Sequence, residues 1–403
     1  MNLNEVQREK IIGIIDRIAV FFFAVLIFFL PISNAAIESC FGLIYLSFIA
    51  RCIFKKPSLS AIKTFFKNRI NLALLIFYIA ISLSMFVSGP LLKKSFHAWF
   101  FKWGEGFLLF YFAQVFLNKK QIKWLIGLFL LSSLLINIDG LHQVIKGVSF
   151  IRNYPMLFHN DLLAPTATFR HYNDFASYLV VSFFLLFGFL LSTRQLSYRL
   201  ILVLFLPLLL TNLFLTYSRG AWLSLMILII FVFLFATTKR IKIVSLVFIL
   251  GLLTALVSIP VIQERFLSIF KYGGDADRFR VWKAAFLMFN SSPLIGKGIG
   301  TFMDYLKQYG SQYFIVQYAH NCYLQILAET GMIGFLAFFW FLGELFSRGY
   351  RSIKANKNYL SMGIFCALSA FLIHSFFDTQ LYSLRLSIMF WLLLSFLTIY
   401  VKE

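Results

Sequence analysis

Apolar residues run through this chain in blocks of about 20, the length at which a helix crosses a bilayer, and short polar stretches divide them. Counting such blocks gives about twelve, centred near residues 18–36, 37–54, 70–88, 96–117, 121–142, 175–192, 199–217, 219–236, 241–260, 331–346, 359–378 and 382–401. The pattern predicts an all-α, polytopic membrane protein of about 12 transmembrane helices, folded as a single membrane domain over residues 1–403. No repeat of fixed period, low-complexity stretch or flexible linker interrupts it.

Positive charge orients the bundle. Lys and Arg collect in cytoplasmic loops. Here they fill alternate connections, at Arg51, Lys55, Lys56, Lys63, Lys67 and Arg69, then Lys119, Lys120 and Lys123, then Arg194 and Arg199, then Lys239, Arg240 and Lys242, and last Arg348, Arg351, Lys354 and Lys357. Both termini are therefore expected in the cytoplasm. The two long remaining loops, about 143–174 and 261–330, are expected to face outward, the second as a large helical loop carrying the candidate site residues.

Composition agrees. The 403 residues are 60% hydrophobic and 19% aromatic, with a mean hydropathy of +0.83; ordinary soluble domains are about 45–50% apolar. Most of the net charge of +21 is accounted for by topology, not by nucleic-acid binding. The four cysteines, Cys40, Cys52, Cys322 and Cys366, have neither metal-ligand nor disulfide-framework spacing. The first apolar run ends near Ser33-Asn34-Ala35-Ala36 and resembles a signal peptide; the spans that follow favour an uncleaved first helix.

Ionisable groups at bilayer depth are costly and mark functional candidates. Lys102 and Glu105 share a helix face at three-residue spacing, as a self-neutralising ion pair or a site. Asp139, with His142 three residues on, is expected to bond a neighbouring helix. Arg219, in Thr216-Tyr217-Ser218-Arg219-Gly220-Ala221-Trp222, sits between two apolar spans at the outer face. It is either an interfacial snorkelling arginine or a phosphate clamp, since its fork matches phosphate oxygens. His374 and Asp378 lie four apart, followed after a short turn by Arg385, which would lock that turn by pairing with Asp378 or serve a site.

The polar stretch Arg265–Gly334 organises the rest. Asp277 is a plausible N-cap for a helix from Arg278 to about Asn290. Arg278, Trp282 and Ala285 fall on one face of it, Arg280 and Lys283 on another. A basic interfacial helix on anionic lipid competes with an anion site at the helix start. Gly296-Lys297-Gly298-Ile299-Gly300 lacks a preceding strand and any nucleotide frame, so tight turns between two short helices are expected. His320 stands before Asn321-Cys322 as a candidate general base or a satisfied structural histidine. In the first outer loop, Arg170-His171-Tyr172-Asn173-Asp174 forms a polar knot. Asp174 is expected to cap the following helix, and Arg170 is a candidate anion contact.

Taken together these motifs resemble the O-antigen ligase and polymerase superfamily of bacterial envelope membranes. The resemblance is sharpest from Thr216 to Gly334: Arg219 in Tyr-Ser-Arg-Gly, Arg278 fifteen residues before Pro293, and His320-Asn321 with Gly331 and Gly334 after it. His171-Tyr172-Asn173 resembles the family's looser motif before the sixth span, where a proline is commoner than Tyr172. The resemblance implies a fold like the GT-C-type membrane glycosyltransferases. It implies transfer of glycan from an undecaprenyl-diphosphate carrier to lipid A–core at the periplasmic face of the bacterial inner membrane, without metal, cofactor, nucleotide or nucleic acid. His320 would be the base, and Arg219, Arg278, Arg280 and Arg170 would contact the diphosphate. Asn321, His171, Asn173 and Asp378 are further site candidates. A polymerase joining lipid-linked repeat units shares the donor chemistry. A transporter or lipid flippase is the rival of another class, and would need binding groups near the midplane.

Overall fold

A computed structural model describes residues 4–55, 63, 65–159, 162–235, 238–267, 276–310 and 318–401. The fold is an all-α polytopic membrane protein. Among the described residues, eight helices are long and apolar enough to cross a membrane, and three shorter apolar helices accompany them. The remaining expected span, placed at 96–117, is broken. It begins as α4 (Leu92–His97), widens into a π-helical segment over Ala98–Gly104 and continues as α5 (Glu105–Phe116). Each block read from the sequence thus has a helical counterpart.

The preceding helices are α1 (Glu5–Phe29), α2 (Asn34–Phe54) and α3 (Arg69–Phe86). The first starts well ahead of the apolar block at 18–36, because Asn4 and Gln7 cap it reciprocally at 2.8 and 3.1 Å. It ends before Pro31, which cannot continue a helix. After α6 (Lys119–Lys146) come a two-stranded antiparallel hairpin, β1 (Leu157–His159) and β2 (Leu162–Ala164), and α7 (Tyr172–Ser192). Then follow α8 (Leu196–Leu215), α9 (Arg219–Phe235), α10 (Lys239–Ser258) and the short α11 (Pro260–Leu267). The large loop holds α12 (Ala276–Ser291) and α13 (Phe302–Tyr309). It leads into α14 (Cys322–Asn356), α15 (Tyr359–His374) and α16 (Leu384–Val401). Lys56 and Asp275, read above as a loop charge and part of the polar stretch, lie outside the described residues, as does the side chain of Asp277. The helix expected over 278–290 is α12.

Helices apolar all round belong inside a bundle. Most of the apolar length of α16 and α7 is buried, 83% and 72%, against 22% for α2 and 28% for α8; α7 and α16 are therefore central and α2 and α8 peripheral. Small residues let helix backbones approach in a bilayer. At the α7–α15 crossing, a Cβ added to Gly188 would stand 2.7 Å from the Gly363 Cα.

The large loop is seated on the bundle through one glycine. Gly331 interrupts α14 with φ 65° and ψ −169°, a conformation essentially restricted to glycine. The kink frees the backbone to pair laterally: Met332 N donates to Pro293 O at 2.8 Å, Ile333 N to Leu294 O at 3.1 Å, and Gly298 N to Glu329 O at 2.9 Å. Gly296, Gly298 and Gly300 all have positive φ, the tight turns expected between α12 and α13. The buried Glu329 fastens them, its carboxylate accepting from Gly300 N at 2.9 Å, Phe302 N at 3.2 Å and Tyr382 Oη at 2.9 Å. A separate small core, with Val281, Ala285, Met288, Phe302, Leu306 and Ala319, holds α12 and α13 to this platform.

Candidate active site

His320 is placed by its neighbours. Asn321 caps α14, its Oδ1 accepting from Tyr323 N at 2.9 Å and Leu324 N at 3.1 Å. Cys322 N donates to Ser375 O at 2.9 Å, and Trp282 of α12 donates its indole N–H to Ala319 O at 2.9 Å. Between these anchors His320 takes φ 47°, a left-handed conformation that histidine visits more often than most residues. Its Nδ1 then lies 3.0 Å from Asp378 Oδ1, with side-chain exposures of 29% for His320 and 12% for Asp378. The carboxylate sits behind the ring. Asp378 Oδ1 also accepts from Thr379 N at 2.8 Å. Burial alone would raise this carboxyl; the hydrogen bond with His320 and the neighbouring imidazoles of His320, His171 and His374 hold it below the ordinary range. A carboxylate at Nδ1 selects the tautomer protonated there and leaves the Nε2 lone pair available.

The loop before α7 meets this pair. His171, not the expected Asp174, caps α7. The His171 Nδ1 accepts from Asn173 N at 3.2 Å, because α7 starts at Tyr172, which puts Asp174 inside the first turn, where it accepts from Ser383 Oγ at 3.0 Å. Asn173 is buried. Burial lowers the His171 imidazole; Asp378 opposes that, while His320 and Arg278 add to it. Next to it Tyr172 stacks on His159 of β1, centroids 4.1 Å apart at 14°.

Arginines surround that stack. Arg219 is the first residue of α9, after a turn in which Tyr217 has φ 53° and Ser218 Oγ lies 3.4 Å from His374 Nε2; its charge bears on His159. Arg278, half-buried on α12, bears on His171 and Tyr172. Arg265, buried on α11, donates its Nε to Tyr217 O at 3.3 Å and its terminal nitrogen to His159 Nε2. His159 is held low, at about 3, by burial and then by Arg265. Arg219, Arg278, His171, His320 and Asp378 are thus gathered at one end of the bundle, where α7, α9 and α14 begin and α8 and α15 end.

The comparisons with known proteins bear on the same region. A family model described as O-antigen ligase matches residues 202–339. Over those residues the chain is similar to the O-antigen ligase family. No curated protein matches it. The O-antigen ligase-like stretch contains Arg219, Arg265, Arg278 and His320, whereas His159, His171 and Asp378 come from segments on either side of it. The cluster is therefore completed by chain outside the matched region.

Other candidates lie apart. Arg280 is exposed on a different face of α12 from Arg278, and Arg170 is exposed beside Arg385. Arg385 does not pair with Asp378. It crosses to the α1–α2 turn and the loop before α7, donating to Pro31 O and Thr168 O at 2.7 Å each and to Asn34 Oδ1 at 2.8 Å, because Asp378 is already engaged by His320. Asp139 bonds the loop that follows α6 rather than a neighbouring helix, accepting from Ser149 Oγ at 2.8 Å and Phe150 N at 2.7 Å. Among the described residues Lys102 and Glu105 form no ion pair. The π-helical segment changes the turn between them, leaving Lys102 exposed and Glu105 beside Glu38.

His159 and Arg265 were not singled out as site residues. His159 stands in a loop with no motif around it, and Arg265 opens the polar stretch without one. Nothing in the one-dimensional spacing joins residues 106 positions apart.

Proposed function

We propose that this protein is a glycosyltransferase that moves an O-antigen-type glycan from undecaprenyl diphosphate to an acceptor hydroxyl on lipid A–core. The observation that carries the reading is the His320–Asp378 pair, 3.0 Å apart, facing guanidinium groups from separate elements within an O-antigen ligase-like stretch. The donor's lipid would lie among the helices and its diphosphate at the periplasmic rim. Arg219 and Arg278 would bind that diphosphate. In the step itself the acceptor oxygen forms a bond to the anomeric carbon as the bond from that carbon to the diphosphate oxygen breaks. The electron pair leaves with the diphosphate, where fixed positive charge stabilises it. The hydroxyl proton passes to His320 Nε2, and Asp378 stabilises the imidazolium that results. Attack opposite the leaving group inverts the anomeric centre. No metal or cofactor enters this scheme. The setting is the bacterial inner membrane, with both termini cytoplasmic.

Purified protein incubated with undecaprenyl-diphosphate-linked glycan and lipid A–core should yield the joined product, and His320→Ala should yield none. Wild-type rates in His320→Ala would overturn the base assignment. A product extended on the lipid carrier, with lipid A–core untouched, would instead assign the polymerase reaction, which shares this donor chemistry.

A further inference from the structure

We infer that Arg265, held in direction by His159, is a third diphosphate-binding group of this site. The inference rests on the lipid-diphosphate reading above and extends it to a residue and a loop that the family match and the sequence motifs leave unassigned.

Burying a guanidinium is costly unless its donors are used, so the direction in which Arg265 is fixed carries information. Its Nε bonds the carbonyl of Tyr217, two residues before Arg219. Its terminal nitrogen bonds His159 Nε2. The first contact ties Arg265 to the turn that presents Arg219. The second ties it to the hairpin packed over the start of α7.

His159 is built to accept that bond. Its Nδ1 lies 3.4 Å from Thr216 O, so a single tautomer, with the proton on Nδ1, donates to the carbonyl and turns the Nε2 lone pair to Arg265. Burial and the adjacent guanidinium keep the ring in this neutral form. The Tyr172 ring, stacked on His159, feels Arg265, Arg278 and Asp378 together, while His159 feels Arg219. Three guanidinium groups on three different helices, α9, α11 and α12, therefore flank one His159–Tyr172 stack beside the His320–Asp378 pair. Two linked phosphates offer several charged oxygens to planar forks of this kind. Arg265 would be a binding residue and His159 a positioning residue that acts through it.

The test is direct binding of undecaprenyl diphosphate, without glycan, to purified wild type and to Arg265→Ala, Arg265→Lys, Arg278→Ala, His159→Ala and His159→Gln, with donor and acceptor KM from transfer assays. We expect Arg265→Ala to weaken binding at least about tenfold and to raise donor KM while acceptor KM stays put. Arg265→Lys should recover part of the loss as a point charge. His159→Gln, which keeps an acceptor for Arg265, should bind better than His159→Ala. A residue that merely braces the loop would lower the melting temperature without a selective donor effect. If Arg265→Ala does not fold, Arg265→Lys and the two His159 variants carry the test. Undecaprenyl diphosphate binding within twofold of wild type in every Arg265 and His159 variant that folds, with Arg278→Ala impaired, overturns this inference alone. No binding to wild type overturns it together with the proposed function.

Discussion

Replacing Asp378 by asparagine asks whether the carboxylate contributes charge or only geometry. Its Oδ1 accepts both His320, at 3.0 Å, and Thr379 N, at 2.8 Å. The amide oxygen of the substituted side chain can keep both bonds, so the ring tautomer and the loop survive. What is lost is the charge facing the imidazolium as it forms. Hydrogen bonds to charged groups contribute about 1.5–3 kcal/mol and neutral ones about 1 kcal/mol. The difference, roughly 0.5–2 kcal/mol, corresponds to a loss of about 2- to 30-fold in kcat. Asp378→Ala removes the whole contact and leaves the His320 Nδ1–H and the Thr379 N–H without this partner. Its expected loss is larger, about 10- to 150-fold or more. Transfer of glycan to lipid A–core by purified protein at saturating donor measures both, with melting temperatures to confirm folding. Equal kcat in wild type, Asp378→Asn and Asp378→Ala would refute the pairing as a source of rate. Equal losses in the two variants would refute the split between charge and geometry.

Arg278→Ala should abolish transfer while the protein still inserts and melts as wild type; retained turnover in a purified assay would remove Arg278 from the diphosphate site. Arg219→Lys should also fail where bidentate geometry is required, and activity near wild type would reduce the position to a point charge. Gly331→Ala places a Cβ 2.6 Å from Ile295 N and against the Leu294 carbonyl, at φ 65°. It should destabilise by roughly 1–3 kcal/mol from backbone strain before any clash, and an unchanged unfolding midpoint would contradict the kink. Acid should destabilise the fold through His159. The folded imidazole titrates near 3 against 6.5 ordinarily, so below about 6.5 the unfolded chain binds more protons and stability falls as pH drops toward 3. The wild-type melting temperature should therefore decline more steeply than that of His159→Gln between pH 7 and pH 5, and parallel declines would sink the assignment.

The sequence by itself determined the class and most of the helices. Apolar length is a local property, and a membrane leaves helices as the open route for satisfying backbone polar groups, so blocks such as 175–192 and 199–217 reappear as α7 and α8. It also singled out His320, Arg219 and Arg278 by their residue type and setting, whereas the break before Pro31 and the kink at Gly331 came from the structure. Only the tertiary structure decided the pairings. Asp378 could have met Arg385, at the start of α16, or His320, 58 positions away; packing of Cys322 against Ser375 chose His320. His171 took the cap expected of Asp174 through a shift of the helix start too small for a polar run to specify. Arg265 and His159 meet because α11 and a short hairpin fold over the same helix ends. Local pattern encodes which segments are helical; which side chains share a site depends on how those segments are brought together in space.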